Sequence, residues 1–268
     1  MNSETRSPYI IGGLVVIALV ALVAYLSLRG NSNSGNPAQS SATSTTTSST
    51  STTVSNLGYT ITQVPISNPA PAKAPSYNGA IACPSTMSQE QCLSIQSRDA
   101  TIIAALNADV TDAPAWIELG TLREETGDYA GAAAAWNYVI ALYPNKSSGY
   151  YNLGDLYLNY VRDYPKAEAN YLLALKYAPQ DTSIYVDLFT LYTTTSYKPT
   201  ATSAEDILKQ GITANPKAVN LQVLLARYYR TLGRSADASA EYNAAIQNAQ
   251  SQGQASLAQQ IQAEANGQ

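Results

Sequence analysis

Apolar and polar positions divide the chain into three stretches of different character. Nineteen residues without a charge, Ile10–Leu28, run between Arg6 and Arg29. As a helix this run reaches about 28 Å, the thickness of a bilayer's hydrocarbon, so the pattern predicts one membrane-spanning helix over 10–28 behind a short tail, 1–9. It is longer than the apolar part of a usual signal peptide, and no small-x-small cleavage site follows, so it reads as an uncleaved signal-anchor. No charged residue lies between Arg29 and Lys73, and thirteen of the fourteen residues from Ser40 to Thr53 are Ser or Thr. Such a stretch buries too little apolar surface to offset its ordering entropy, which predicts a disordered linker over 29–80. Pro65, Pro69, Pro71 and Pro75 stiffen its second half. The pattern then turns helical. Ser88-Gln89-Glu90-Gln91 reads as a capping box leading into Leu93, Ile95, Ile102, Ile103 and Leu106, a capping helix within 81–112.

From Ala113 onward, residues recur at a spacing near 34. The clearest unit reads Trp116, Leu119-Gly120, Gly127-Asp128-Tyr129, Ala132, Trp136 and Pro144. A second repeats it as Tyr150, Leu153-Gly154, Tyr157, Ala167, Tyr171, Ala174 and Pro179, with one extra residue in its turn. A third follows as Tyr185, Leu188, Tyr192, Ala204, Leu208, Gly211 and Pro216. In it Phe189 takes the small-residue place and three residues are inserted around Thr194–Pro199. In the fourth, Gln222 replaces the aromatic, and Leu225-Ala226, Tyr229, Gly233, Ala238, Tyr242 and Ala245 restore the register.

This pattern resembles the tetratricopeptide repeat (TPR) family over about half of the chain. The resemblance implies an all-α fold, a right-handed superhelix of about four stacked helix hairpins at 113–146, 147–181, 182–218 and 219–250. Capping helices close it, the last within 251–268. In the third unit, a phenylalanine where two helices should touch is expected to splay them, or the insert to form a local protrusion, either as a lengthened turn or as a contact loop.

Composition narrows the function. Histidine is absent and cysteine occurs twice, so no Cys/His zinc site can be assembled. With a formal charge of −4 there is no basic excess for nucleic acid. No cofactor is indicated. An enzyme is a remote reading, since carboxylate pairs such as Glu124 and Glu125 sit on a helix surface with no pocket implied. Arg6 and the neutral tract after Arg29 favour a cytoplasmic amino terminus and an extracytoplasmic repeat domain, making a single-pass envelope protein. In that oxidising setting Cys83 and Cys92 read as a local disulfide; in a cytosolic one they would be two buried thiols.

In TPR proteins the first helices of the hairpins line a concave groove, and their positions two, five, nine and twelve commonly touch partners. By that resemblance the groove residues are Ile117, Thr121 and Glu124, then Ser148, Tyr151, Asp155 and Leu158. The later units add Ser183, Val186, Thr190 and Thr193, then Asn220, Val223, Arg227 and Arg230. Such a groove has an acidic and a basic end. Tyr151 would anchor a peptide or helix, and Arg227 and Arg230 would take its carboxylates. The alternative is a solvated face on which these arginines pair with Asp237 or Glu241. The carboxylate clamp of chaperone-tail TPRs is not supported, because Ile117 and Thr121 stand in its early positions. The leading expectation is a membrane-anchored scaffold or adaptor for a protein partner in the cell envelope. The second is a module binding cell-wall glycan through exposed rings such as Tyr151 or Tyr197. Oligomeric state is left open.

Overall fold

The computed structural model describes residues 73–199 and 202–267. The expected tail (1–9), membrane helix (10–28) and the linker up to residue 72 lie outside the described residues. Among the described residues, no helix is long and apolar enough to cross a membrane. Ten α-helices and no strand are present among them. These are α1 (Gln89–Ala108), α2 (Ala113–Glu125), α3 (Tyr129–Leu142), α4 (Ser147–Leu156) and α5 (Tyr164–Tyr177). They continue as α6 (Thr182–Thr194), α7 (Ala204–Ala214), α8 (Val219–Thr231), α9 (Ser235–Ser251) and α10 (Ala255–Ala265). Short polar side chains start most of them. Ser88 accepts from the backbone of Gln91 in a full capping box, and Asp112, Asp128, Asp163 and Asp181 cap α2, α3, α5 and α6.

The first two hairpins each pack around one contact between a small and a large residue. Gly120 lies against the Trp136 ring, and a Cβ at Gly154 would sit 2.6 Å from Tyr171 Cδ1. Trp116 is wholly buried and Trp136 is 2% exposed. Truncating either would cost about 3–5 kcal/mol in lost burial and cavity. A second regularity ties each hairpin to the chain entering it. Trp116 Nε1 donates to Val110 O at 2.8 Å, Tyr150 Oη to Pro144 O at 3.2 Å and Tyr185 Oη to Pro179 O at 3.0 Å. Gln222 is too short to make that bond. Asn248 Nδ2 makes it instead, donating at 2.9 Å to Pro216 O and at 2.9 Å to Gln222 Oε1. The TPR-like hairpin register thus survives the lost aromatic because a neighbouring helix supplies the donor.

The departures foreseen in the second and third units take defined forms. The extra residue becomes a π-helical turn at Tyr157–Val161, ending with Arg162 left-handed at φ 60°. The first and fourth units place Gly127 and Gly233 left-handed in their turns, at φ 83° and 73°. In the third unit Phe189 packs against the core cluster that contains Leu208. Phe189 also packs edge-on against Tyr228 of the next unit, with centroids 5.3 Å apart. The inserted loop is pinned, since Tyr197 and Tyr192 both donate to the Glu168 carboxylate.

The ordered fold begins earlier than expected. Residues 73–80 fall within the expected linker, yet Tyr77 stacks edge-on against Trp116 at 5.5 Å and Arg123 Nη2 donates to Ser76 O at 2.7 Å. Ala74, Tyr77, Ile81 and Met87 pack on the first-layer core. The physical reason is that the outer face of the first hairpin would otherwise meet water, and α1 alone does not cover it. Cys83 and Cys92 form a disulfide that ties this segment to the start of α1.

Candidate functional site

The first helices α2, α4, α6 and α8 carry the predicted groove positions, and the structure separates them into a middle and two ends. At one end a cleft of about 540 Å³ is lined by Ile117, Val139, Tyr143 and Ser148 among others. Towards the other, a cleft of about 510 Å³ lies between the third and fourth units, with Phe189, Thr193, Leu224, Arg227 and Tyr228 in its walls. Thr121 and Thr190 turn their hydroxyls back onto their own helices, donating to Ile117 O and Val186 O. They offer methyl groups more than donors.

The middle is acidic. Glu124 from α2, Tyr151 and Asp155 from α4 and Asp187 from α6 are all half-buried, and Glu124 and Asp187 both feel the charge of Asp155. Burial, with repulsion from Asp155 and Glu125, raises the Glu124 pKa to about 7. Burial likewise raises Asp187 to about 7, opposed by the Tyr151 hydroxyl and reinforced by Asp155 and Asp181. Asp155 is raised by burial while accepting from Asn159 at 2.8 Å. Underneath lies Tyr171, fully buried with its ring on Gly154. Its pKa is raised first by burial and then by Asp187, Asp155, Tyr151 and Glu124, which places its hydroxyl among them. That hydroxyl, Glu124 Oε1 and Asp187 Oδ2 are buried and have no hydrogen-bond partner. The adjacent glutamates are not a pair, because Glu125 turns away to Arg98 at 2.8 Å.

Four predicted contact residues are placed elsewhere. Leu158 is buried in the core, because the wide π turn rotates the side chains that follow Leu156 around the helix axis. Val223 is buried in a cluster with Ala258 and Ile261 of α10. Arg227 and Arg230, expected to take partner carboxylates, are held within the chain, and by neither Asp237 nor Glu241. Arg227 grips Glu264 of α10 through Nε at 2.7 Å and Nη2 at 2.6 Å, and Arg230 donates to Glu264 O at 3.0 Å and to Tyr242 Oη at 3.3 Å. The capping helix folds onto the fourth first helix and supplies its anion. Tyr197, expected to be exposed, is half-buried, and burial together with its bond to Glu168 pushes its pKa up to about 12.

Asp187 and Tyr171 were not among the predicted groove residues. Tyr171 occupies a core position, and nothing in a core tyrosine reports an unmet hydroxyl. Asp187 carried a usable signal: it is the one charged residue within Thr182–Thr194, flanked by apolar and hydroxyl side chains.

No protein-family model matches the sequence, and no curated protein matches it. Among solved structures the chain is similar to MamA at 16% identity, with TM-score 0.47 over 62% of this chain and 98% of that one. It is also similar to YrrB, described as a TPR protein with an unusual peptide-binding site, at 16% identity and TM-score 0.43 over 61% of this chain and 90% of that one. The TPR-like hairpin architecture stands on this chain's own register, its small-against-large contacts and its repeated bonds to the incoming carbonyl.

Proposed function

We propose that the chain is an interaction scaffold that docks a protein partner along the face formed by its first helices. In this reading Ile10–Leu28 anchors it in the membrane, with the repeats on the extracytoplasmic side. The observation that supports it most is the middle of that face, where partly exposed carboxylates from three successive first helices stand together over unmet buried oxygens. A face that is merely solvated satisfies its polar groups with water or with neighbouring side chains. The disulfide agrees with an oxidising compartment.

Photo-crosslinkers at Ser148 and Thr193, which border the two clefts, are expected to capture one common partner. Crosslinkers at the exposed Asn137 and Ser239 on second helices are expected to capture none. Equal capture from both faces would remove the docking face. Protease added to intact cells should digest the repeat domain, and its survival while surface controls are cut would reverse the orientation.

A further inference from the structure

Resting on that docking reading, we propose that Glu124, Tyr151, Asp155, Tyr171 and Asp187 form a recognition site for an arginine side chain of the partner. Charge is the first reason. Three carboxylates converge there, and none forms an ion pair with a cation among the described residues. The chain's nearby arginines are engaged elsewhere: Arg98 with Glu118 and Glu125, and Arg123 with Gly131 O and Ser76 O. Its own linker cannot supply the cation, because residues 30–72 contain no charge. The occupant assigned to the site is accordingly a side chain of the partner.

Tyr171 provides an independent reason. It is fully buried, it is aimed into the cluster, and its hydroxyl has no partner, a loss that costs about 1–3 kcal/mol when left unmet. A bound donor would satisfy it together with the inner oxygens of Glu124 and Asp187. Rotating either carboxylate about its last bond turns that oxygen toward the groove, since both side chains stay partly exposed.

Shape selects the kind of cation. Among the described residues no three acidic side chains stand close enough to hold one metal ion. Acceptors spread over four helices call for a donor set that is itself spread out. A guanidinium presents five N–H groups in a fixed plane, whereas an ammonium presents three from a single point. Tyr151 borders the site and hydrogen-bonds Asp187, fixing that carboxylate at its edge. The groups that set the site's charge are Glu124 and Glu125 from α2, Tyr151 and Asp155 from α4, Tyr171 from α5, Asp187 from α6 and Asp181, which caps α6.

The test is calorimetric titration of the detergent-solubilised full chain with N-acetyl-arginine amide, N-acetyl-lysine amide and N-acetyl-citrulline amide. The arginine probe is expected to bind about tenfold more tightly than the lysine probe, and the neutral citrulline probe not at all. Asp187→Asn and Glu124→Gln should each weaken arginine binding about tenfold. The free variants should melt at a higher temperature than the parent at about pH 8, a rise that a purely structural role would not produce. Equal binding of arginine and citrulline, equal binding of arginine and lysine, absence of binding, or unchanged affinity in both variants would each overturn the site. If the crosslinks at Ser148 and Thr193 persist while the arginine probe fails, the docking face stands and only this site falls. If the crosslinks vanish while the probe still binds, the reverse holds.

Discussion

The middle of the first-helix face and its carboxy-terminal end are built from the same helix type in the same register, yet they stand in opposite electrostatic states. At the end, Glu264 receives Arg227 and Tyr242, Gln222 receives Asn248, and α10 covers Val223. In the middle, Glu124 and Asp187 face other carboxylates, with buried oxygens unmet. The end is closed by the chain's own side chains; the middle leaves buried acceptors without a partner among the described residues. A TPR-like face therefore cannot be read as uniformly available, because the helix that caps the stack draws its own anchors from the groove.

The largest effect should come from the backbone contact that places Tyr171. Gly154→Ala pushes a Cβ into the Tyr171 ring and is expected to cost about 2–3 kcal/mol in chemical denaturation. Ala226→Gly, at the equivalent place beside Tyr242, should cost only about 1 kcal/mol through helix propensity. A neutral Gly154→Ala would mean that Tyr171 is free to move, and the contrast between the two regions would weaken.

Opening the closed end comes next. Glu264→Ala removes the acceptor of Arg227 and Tyr242 and should cost about 1–2 kcal/mol, given its partial exposure. Asp187→Asn should act with the opposite sign in the middle, gaining about 1 kcal/mol at about pH 8 and nothing below about pH 4.

The same contrast sets the pH profile of the unliganded chain. The folded pKa values of Glu124 and Asp187 are raised to about 7, so the folded chain binds more protons than the unfolded one between the usual carboxylate range and neutrality. Stability should fall as pH rises from that range to about 7 and level off above it. Glu264 is lowered by its bond to Arg227, so its contribution is present above the ordinary glutamate value and is lost as pH falls below it. Thermal melts should therefore pass through a maximum in mildly acidic solution. A Glu124→Gln, Asp187→Asn double variant should lose the fall toward alkaline pH and keep the fall in acid.

The smallest effect concerns the turn beneath the middle. Arg162→Gly replaces a left-handed arginine with the residue found in the first and fourth turns, and should gain about 0.5–1 kcal/mol. A loss instead would show that the arginine side chain stabilises the π turn.

Much of the architecture is legible residue by residue. Gly120 with Trp136, Gly154 with Tyr171 and Ala226 with Tyr242 announce helix pairs in contact, and Ser88 with Gln91 announces the start of α1. The site is less so. Glu124, Tyr151 and Asp155 follow from repeat position, but Tyr171 reads as core, Leu158 reads as groove, and Arg227 reads as available. Each of those three depends on another element: the unmet surroundings of a hydroxyl, a turn widened by one residue, and a helix that follows the last repeat.

Local spacing alone determined the helices, their caps, the hairpin register and the pairing of small with large residues, because those contacts join positions at fixed separations along the chain. Only the tertiary structure decided which polar groups find partners. An ion pair such as Arg227 with Glu264 spans 37 residues and forms only where two helices come to rest side by side. The same packing leaves Glu124, Asp187 and Tyr171 together without one.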